Sequence, residues 1–338
     1  MLGRAVAAGL VGLLALGPFV PMGGMRQYVL HVVIQVFIWS FIGGAWSLMG
    51  RFGLVSLGHG AFLGIGAYAT TLLWNVYGLT PWLGVLVGVA LAGVLAVVVG
   101  YPCSRFRVVG HYFALVTLAV GEVVRLLIVA ERDWTGGSLG VTVEAAGSDG
   151  SLLAVQFPHD KRVFYYAALV VWLLGLWVWA RLDRSMARAA MEAIGEDETA
   201  AASVGIHVTR FKLGVTVLSA ALTAVGGALY AQYFMYVNPD TLSGIGVSLR
   251  IVFAVVLGGM YSLLGPTVGT ALTIALSESL RILFGLRFIG MAETIYGLLL
   301  ILFIIFLPAG IYGSLRDLVR RAAAGPRDSV EVMPSAGR

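Results

Sequence analysis

Reactive side chains are few in this 338-residue chain, and their spacing matches no common catalytic or metal-binding pattern. The five histidines are far apart in sequence, and a single cysteine, Cys103, allows neither an internal disulfide nor a multi-cysteine metal site. Neither Lys161 nor Lys212 ends a G-x-x-x-x-G-K-[ST] sequence, so the chain has no P-loop for ATP. The sequence also lacks G-x-S-x-G and H-E-x-x-H motifs. We therefore predict no catalytic residues, no metal site and no cofactor on this chain.

The most unusual segment is glycine-rich and runs from Ser56 to Tyr68. Its small residues are spaced so that two helix backbones can touch, which is one interpretation. The other is an interrupted helix beside a cavity, where polar side chains and freed backbone groups contact a polar solute. The glycines at 258 and 259 allow the same two interpretations. If the segment is an interrupted helix beside a cavity, the candidate substrate pathway comprises Ser56, Gly58, His59, Gly60, Gly64, Gly258 and Gly259.

Several charged residues lie within apolar segments. Glu122 with Arg125, and Glu278 with Arg281, are spaced i,i+3, so each pair shares one helix face and can neutralise its charges. Arg250 and Glu293 stand near the outer ends of other apolar segments. These residues indicate either structural pairing and snorkelling at the outer rim, or an outward vestibule that meets a charged or zwitterionic solute.

The composition of the chain indicates which kind of secondary structure must position these residues. Hydrophobic residues make up 59% of the chain and charged residues 12%, whereas a soluble domain carries about 25% charged residues. This excludes soluble classes, and the absence of basic runs with interleaved aromatics argues against nucleic-acid binding. We predict an all-α polytopic membrane protein with about ten transmembrane helices. The candidate spans lie near 5–22, 28–49, 54–75, 81–100, 111–130, 163–181, 213–233, 248–265, 266–284 and 292–311.

The first candidate span also resembles a secretory signal, with Arg4, an apolar core and Ala15-Leu16-Gly17 as a small-residue site. Pro18 would directly follow that cleavage, which favours a retained helix. A weak sequence echo also appears: Leu57-Gly58 recurs as Leu257-Gly258 five spans later. Because copies five spans apart run in opposite directions, the echo predicts an inverted repeat.

The Lys and Arg distribution predicts the orientation. With ten spans and residues 182–212 inside, fourteen of the 22 Lys and Arg residues lie on the inner side and five on the outer side. Both termini are therefore predicted to be cytoplasmic. Residues 1–312 form the transmembrane domain, 131–162 an outer (periplasmic) loop, 182–212 an inner loop and 313–338 a cytoplasmic C-terminal tail.

The inner loop contains two helix-favouring, charged segments, Asp183–Ala193 and Glu196–Val204, which we predict to be joined at Gly195. Short charged helices cannot lie in lipid, so they need water or a protein partner.

Six ordered stretches resemble the permease subunits of branched-chain amino acid ABC importers, the LivM type. Together they cover roughly residues 28–312. They are Leu54–Tyr68, Thr135–Gly140, Glu192–Ile206, Leu229-Tyr230-Ala231, Val256–Pro266 and Tyr296–Leu300.

The resemblance implies a bacterial inner-membrane protein, surrounded by lipid, that pairs with a LivH-like second permease. It also implies two P-loop ATPase subunits, which hold ATP and Mg²⁺, and a periplasmic solute-binding protein. The inner loop would carry the coupling helix that docks on the ATPases. The residues assigned to that docking are Glu196, Asp197, Glu198, Ala200, Ala201 and Gly205.

Three alternatives stay open. One is a related ABC permease for urea, short amides or other amino acids. A second is a stand-alone secondary transporter or channel, also built on inverted repeats and broken helices. A third is an intramembrane enzyme that uses His59 or His111 with Glu122, although no recognisable nucleophile or metal set accompanies them.

Overall fold

A computed structural model of the chain describes residues 14–19, 23–145, 155–156 and 161–284, and isolated positions at 12, 294–295, 297–298, 302 and 310–311. The α-helices are α1 Arg26–Gly50, α2 His59–Tyr77, α3 Pro81–Arg105, α4 Gly110–Ala130, α5 Arg132–Thr135, α6 Lys161–Asp183, α7 Met186–Glu196, α8 Glu198–Ser203, α9 Val208–Phe234, α10 Pro239–Leu242, α11 Ile245–Gly258 and α12 Gly265–Phe284. The two short strands are β1 Val141–Thr142 and β2 Tyr236–Val237, which pair antiparallel.

Seven helical segments within the described residues are long and apolar enough to cross a membrane. They are α1, α3, α4, α6, α9, α12, and α10 taken together with α11. The all-α, polytopic membrane class is therefore confirmed. Helix α2 corresponds to the third predicted span but is not in this set. The predicted spans 5–22 and 292–311 lie mostly outside the described residues, as do the tail 313–338 and residues 146–154 of the outer loop.

Two predicted boundaries are wrong, and glycine accounts for both. The eighth span was expected to run to residue 265, but α11 ends at Gly258 because Gly259 adopts φ 109°, outside the helical region. The third was expected from residue 54, but α2 begins at His59 with Gly58 as its N-cap. The echoed segments therefore differ locally, since one begins a helix and the other ends one.

Helix α3 joins the bundle through a stripe of small residues at every fourth position, comprising Gly84, Gly88, Ala92, Ala96 and Gly100. These residues are buried and pack against α2 and α9. A Cβ added at Gly88 would lie 3.1 Å from the Cα of Gly66 in α2, so the two backbones are in contact. The stripe therefore acts as a small-xxx-small interface.

The opposite faces of α3 and α4 carry large exposed apolar side chains, including Leu86, Val94 and Val98 on α3, and Leu115 and Leu127 on α4. Exposed apolar surface on this scale is not compatible with water and suits contact with lipid or another membrane subunit.

Helix α1 is the centre of the second half of the bundle and packs against α6, α9, α11 and α12. Its buried face includes Ile34, Ile38, Ile42 and Trp46. The Trp46 Nε1–H donates to the carbonyl oxygen of Ser56 at 2.8 Å, which fixes the chain just before α2.

One end of the bundle is closed by the β1–β2 pair and by side chains from α2. Asn75 donates to the Thr142 carbonyl at 2.8 Å and accepts from the Glu144 N–H at 3.0 Å. The Trp74 Nε1–H donates to the Glu144 carbonyl at 2.7 Å. These bonds tie the first part of the predicted outer loop to the end of α2.

Candidate coupling and transport site

Helices α7 and α8 form the centre of the predicted inner loop. Helix α7 is amphipathic, and its buried residues Met191 and Ile194 join a cluster with Met49 and Leu54. Ala201 of α8 is in the same cluster and is 3% exposed. The short helices are therefore packed on the helical bundle by apolar contacts, and their other faces are exposed.

The joint between the two helices lies at Asp197, not at Gly195 as predicted. Gly195 is inside α7, whereas Asp197 is extended at φ −154° and ψ 114°. The Asp197 carboxylate caps α8 by accepting from the N–H groups of Thr199 at 2.7 Å and Ala200 at 3.0 Å. These bonds stabilise the charged carboxylate and so lower the pKa of Asp197, with the larger effect from the Ala200 N–H and the smaller from the Thr199 N–H. A side-chain cap, rather than glycine flexibility, makes the joint.

Gly205 ends this pair of helices, as predicted. Its φ of +88° lies in the region that favours glycine, and its N–H donates to the Ala202 carbonyl at 3.0 Å. A Cβ at Gly205 would meet no atom within 4 Å. The requirement for glycine here is thus conformational and not steric.

A buried ion pair connects α8 to α9. Glu198 accepts a hydrogen bond from Lys212, whose side chain is 5% exposed. The Glu198 side chain is 16% exposed, so it points toward the bundle and not away from it. Sequence reasoning placed Glu198 at the docking surface and gave Lys212 no role. The available signal was that a lysine at the start of an apolar span needs a partner.

The six docking candidates fall into two groups, exposed residues and residues that face inward. Glu196, Asp197, Ala200 and Gly205 are exposed, whereas Glu198 and Ala201 face inward. The structure therefore brings all six into one short segment but presents only four of them on its surface.

A second charged network anchors α7 to the ends of α1 and α6. Arg51 Nη1 lies 2.8 Å from Asp183 Oδ1, and Arg188 Nη1 lies 3.1 Å from Asp183 Oδ2. Arg188 also binds Glu192 at 2.7 Å, one turn further along α7. The Arg51 guanidinium stacks over the Trp179 ring at 4.2 Å, and its side chain is 5% exposed. The network therefore ties α7 to the ends of α1 and α6.

His59 and Ser56 lie in the protein interior, where their hydrogen bonds are met by other protein groups. His59 is fully buried, with Nδ1 3.0 Å from Ser56 Oγ and Nε2 2.9 Å from Ser219 Oγ. The Ser219 hydroxyl donates to the Ala45 carbonyl at 2.7 Å, so it accepts from an Nε2–H of His59. A neutral imidazole thus satisfies both nitrogens and joins α1, α2 and α9. No ring nitrogen is left for a solute.

The glycines of this segment are contact points between helices. A Cβ at Gly58 would collide with the Thr117 carbonyl of α4, and one at Gly64 with the Ser243 hydroxyl. The Gly60 N–H donates to Ser248 Oγ of α11 at 2.9 Å. These positions support the close-packing interpretation.

Gly258 and Gly259 lie where α11 meets α12, away from the first glycine group in the chain. A Cβ at Gly258 would collide with the Gly265 carbonyl, and Gly259 has positive φ. Both therefore shape the turn between two helices.

The charged pairs within spans form as predicted. Arg125 binds Glu122 at 2.6 Å and also binds Asp240 of α10 at 2.9 Å. Arg281 binds Glu278 at 2.7 Å. Among the residues that the structure describes, no group of three or more His, Cys, Asp or Glu side chains is arranged to hold a metal ion.

Comparison with known proteins identifies the family. The profile for "Branched-chain amino acid transport system / permease component" matches residues 28–307. The chain belongs to this family. As a transporter permease component it is a non-catalytic subunit.

Curated relatives agree with this assignment. The LivM permease of Escherichia coli K12 is 31% identical over 322 residues, which cover 89% of this chain and 74% of that protein. The LivM permease of Salmonella typhimurium is 32% identical over 283 residues, covering 78% of this chain and 65% of that protein. The LivH permease of E. coli K12 is 26% identical over 309 residues, covering 86% of this chain and 98% of that protein. No solved structure matches the chain.

Proposed function

We propose that this chain is a permease subunit of an ABC importer for branched-chain or other apolar amino acids. The observation that carries the proposal is the α7–α8 unit, which is bound to the bundle yet exposes Glu196, Asp197 and Ala200. A chain without a P-loop needs an external source of energy, and this unit offers a rigid surface through which force can be applied. The names of the LivM and LivH relatives support the substrate class.

The proposed assembly contains this chain, a LivH-like second permease, two P-loop ATPases that hold ATP and Mg²⁺, and a periplasmic solute-binding protein. We place it in the bacterial inner membrane. Solute delivered at the outer face would pass between the permeases as ATP binding reorients them.

We propose ten spans with both termini in the cytoplasm. The seven apolar segments, helix α2, and the sequence-predicted spans 5–22 and 292–311 together give that number. The Lys and Arg distribution supports the orientation. The inverted repeat stays a prediction from the sequence.

Within the inner loop, we assign two kinds of role. The exposed residues Glu196, Asp197, Ala200 and Gly205 would contact the ATPase. Glu198 and Ala201 would instead transmit the movement of α8 into the bundle, since one is bound to Lys212 and the other is packed in the apolar cluster.

For the glycine-rich residues, buried contacts favour a supporting role. We propose that Ser56, Gly58, His59, Gly60 and Gly64, with Gly258 and Gly259, hold helices in position along the pathway. Both ring nitrogens of His59 are bonded to serine hydroxyls, so direct contact with solute stays a prediction for the other groups only.

The test is reconstitution of the assembly in proteoliposomes with an Ala200→Arg variant. A bulky cation on the exposed face of α8 should abolish ATP-driven leucine uptake and its stimulation of ATPase activity, while the subunits still fold. Ala145→Arg, at an exposed position on the opposite end of the bundle, is the matched control and should transport normally.

Two outcomes would contradict the proposal. Leucine accumulation on an ion gradient by vesicles that contain this chain alone would indicate a stand-alone transporter. Import of urea or short amides, with no import of leucine, would indicate the related permease class.

A further inference from the structure

A cavity lies between α1, α11 and α12. Its volume is about 90 Å³, which is room for roughly six to nine water-sized groups and so for one small solute. Its polar lining includes Gln35, Arg250, Thr270 and Glu278, and Trp39 contributes an aromatic side. Opposite charges therefore reach one cavity from two different helices.

Arg250 is a cation without a hydrogen-bonded or ion-paired partner among the residues that the structure describes, although it interacts electrostatically with Tyr230 of α9. It is exposed and makes no hydrogen bond or ion pair there. A guanidinium in an apolar span is costly unless it meets an anion or reaches water. Its planar N–H groups suit a carboxylate, which they can bind with two parallel hydrogen bonds.

Glu278 is held in place through one carboxylate oxygen. The Tyr28 hydroxyl donates to Oε2 at 2.9 Å and Arg281 Nη2 donates to the same atom at 2.7 Å. Oε1 makes no hydrogen bond with the described residues and is available to a donor. Tyr28 and Arg281 therefore orient a carboxylate that retains an acceptor.

Thr270 gives an independent indication of a ligand. It is 2% exposed, it lines the cavity, and its Oγ1 makes no hydrogen bond with the described residues. A buried hydroxyl without a partner costs free energy, which a bound ligand would recover. Trp39, Ile251 and Ile274 line the same cavity and provide apolar surface beside these polar groups.

We infer that this cavity is a binding subsite for a zwitterionic amino acid with an apolar side chain. Arg250 would bind the carboxylate of the amino acid, and Glu278 Oε1 would accept from its ammonium group. Thr270 Oγ1 would bond to a further polar atom of the ligand. The apolar side chain of the ligand would lie against Trp39 and Ile251. The inference rests on the proposed function and deepens it, because it locates in this chain a contact point for the transported solute.

The cavity's position suits delivery from the outer face. Arg250 lies one to two turns from the start of α11, and Glu278 lies near the end of α12. In the proposed topology both are in the outer half of the membrane, on the side where β1 and β2 close the bundle.

The test measures equilibrium binding of L-leucine to the complex of both permeases and ATPases, without the binding protein, in nanodiscs. Two competitors separate the charges: 3-methylbutylamine lacks the carboxylate, and 4-methylpentanoate lacks the ammonium. Arg250→Gln should weaken leucine and 4-methylpentanoate binding by about tenfold or more and leave the amine unchanged. Glu278→Gln should weaken leucine and the amine and leave the acid unchanged.

Three further variants serve as controls. Thr270→Val should weaken leucine binding, whereas Thr223→Val, whose hydroxyl bonds within α9, should not. Arg132→Gln removes an exposed arginine outside the cavity and should bind leucine normally. Arg250→Lys keeps the charge and should retain part of the affinity, which separates binding from misfolding.

Several outcomes would overturn the inference. One is that the wild type does not bind leucine. Another is that a variant loses the same amount of affinity for leucine, the amine and the acid. A third is that the effect of Arg250→Gln on binding varies with the anionic lipid content of the nanodiscs. The last would indicate that Arg250 binds a lipid headgroup. ATP-driven leucine uptake by the wild-type assembly is measured in parallel. If the wild-type assembly takes up leucine but the variants bind leucine normally, the subsite alone is refuted. If the wild-type assembly takes up no leucine, the proposed function is refuted.

Discussion

At the scale of single residues, the buried charge of Lys212 has the largest expected effect on stability. Its side chain and that of Glu198 are 5% and 16% exposed, and each provides the other's counter-charge. Two partly desolvated charges gain little as a pair, but either one alone is costly. The pair therefore fixes the position of α8 on α9 more than it adds net stability.

We predict that Lys212→Met or Glu198→Leu alone destabilises the protein by about 3 kcal/mol, because each leaves one buried charge uncompensated. The double variant should recover most of that loss. Unfolding of the purified protein in lipid–detergent micelles measures these differences. Glu192→Gln removes an exposed partner of Arg188 and should cost less than about 1 kcal/mol. Equal losses for the single and double variants would contradict the role of the pair.

Asp197 gives a pH-dependent prediction. Its pKa is lowered in the folded protein by N–H donors, so the cap is complete above the ordinary aspartate pKa of about 3.9. It is lost as the pH falls through the lowered pKa, when the carboxylate gains a proton. Protection of the Thr199 and Ala200 amides, measured as the ratio of intrinsic to observed hydrogen-exchange rate at each pH, should therefore fall over that acidic range.

The matched variants separate capping from charge. Asp197→Asn keeps a capping oxygen and should lose the pH dependence, whereas Asp197→Ala should exchange faster than the wild type above the aspartate pKa and at a similar rate below it. The same pH profile in Asp197→Asn would show that another group titrates.

Residue-scale features were only partly predictable from the sequence. The i,i+3 spacing of Glu122 and Arg125 is enough to predict their contact, because helix geometry places such residues on one face. The contact of Glu198 with Lys212 crosses from one helix to another, and that depends on helix rotation. For the same reason, the sequence could not show that Glu198 faces inward or that Asp197 makes the joint.

At the scale of elements, the interior is built from helices whose backbones touch. Gly66 and Gly227 bring α2 and α9 together: a Cβ at Gly227 would collide with the Leu63 carbonyl, and one at Gly66 with the Ala224 carbonyl. Backbone atoms cannot rotate away as a side chain can. Close approach here is therefore a fixed requirement.

We predict that Gly227→Ala destabilises the protein by about 1–3 kcal/mol or more, because overpacking against backbone forces α2 and α9 apart. Gly214→Ala is the control on the same helix, since a Cβ at Gly214 meets nothing within 4 Å. It should be neutral or stabilise slightly, as alanine favours helix over glycine. Thermal unfolding and the yield of monodisperse protein measure both variants. Similar behaviour of the two would contradict the α2–α9 contact.

Element positions were predicted well wherever an apolar run was long. Helices α1, α3, α4, α6 and α9 each cover their predicted span, since about 20 apolar residues leave few alternatives to a spanning helix. The ends were harder, because backbone angles such as that of Gly259 decide them. The stripe on α3 repeats every fourth residue, so a search for small-residue periodicity would have found it.

At the scale of the whole molecule, burial is uneven in a way that the proposed assembly explains. Helix α1 is mostly buried, whereas less than a third of α3, α4 and α12 is buried. The exposed faces of α3 and α4 are apolar. Lipid, or the second permease, would cover these faces. Exposed charged residues lie instead at the two ends of the bundle, at α7 on one side and at α5 on the other, where water or a partner in water would meet them.

The orientation of the molecule can be tested with cysteine labelling, since Cys103 is the single, buried cysteine. In a Cys103→Ser background, we predict that Ala145→Cys reacts with a membrane-impermeant maleimide in intact spheroplasts. Ala200→Cys should react only after the membrane is permeabilised. Both positions are exposed, so a difference reports sidedness and not burial. The physical reason is the excess of Lys and Arg on the side of residues 182–212. Labelling of Ala200→Cys in intact spheroplasts would place α8 outside, where no ATPase could reach it, and the coupling assignment would be wrong.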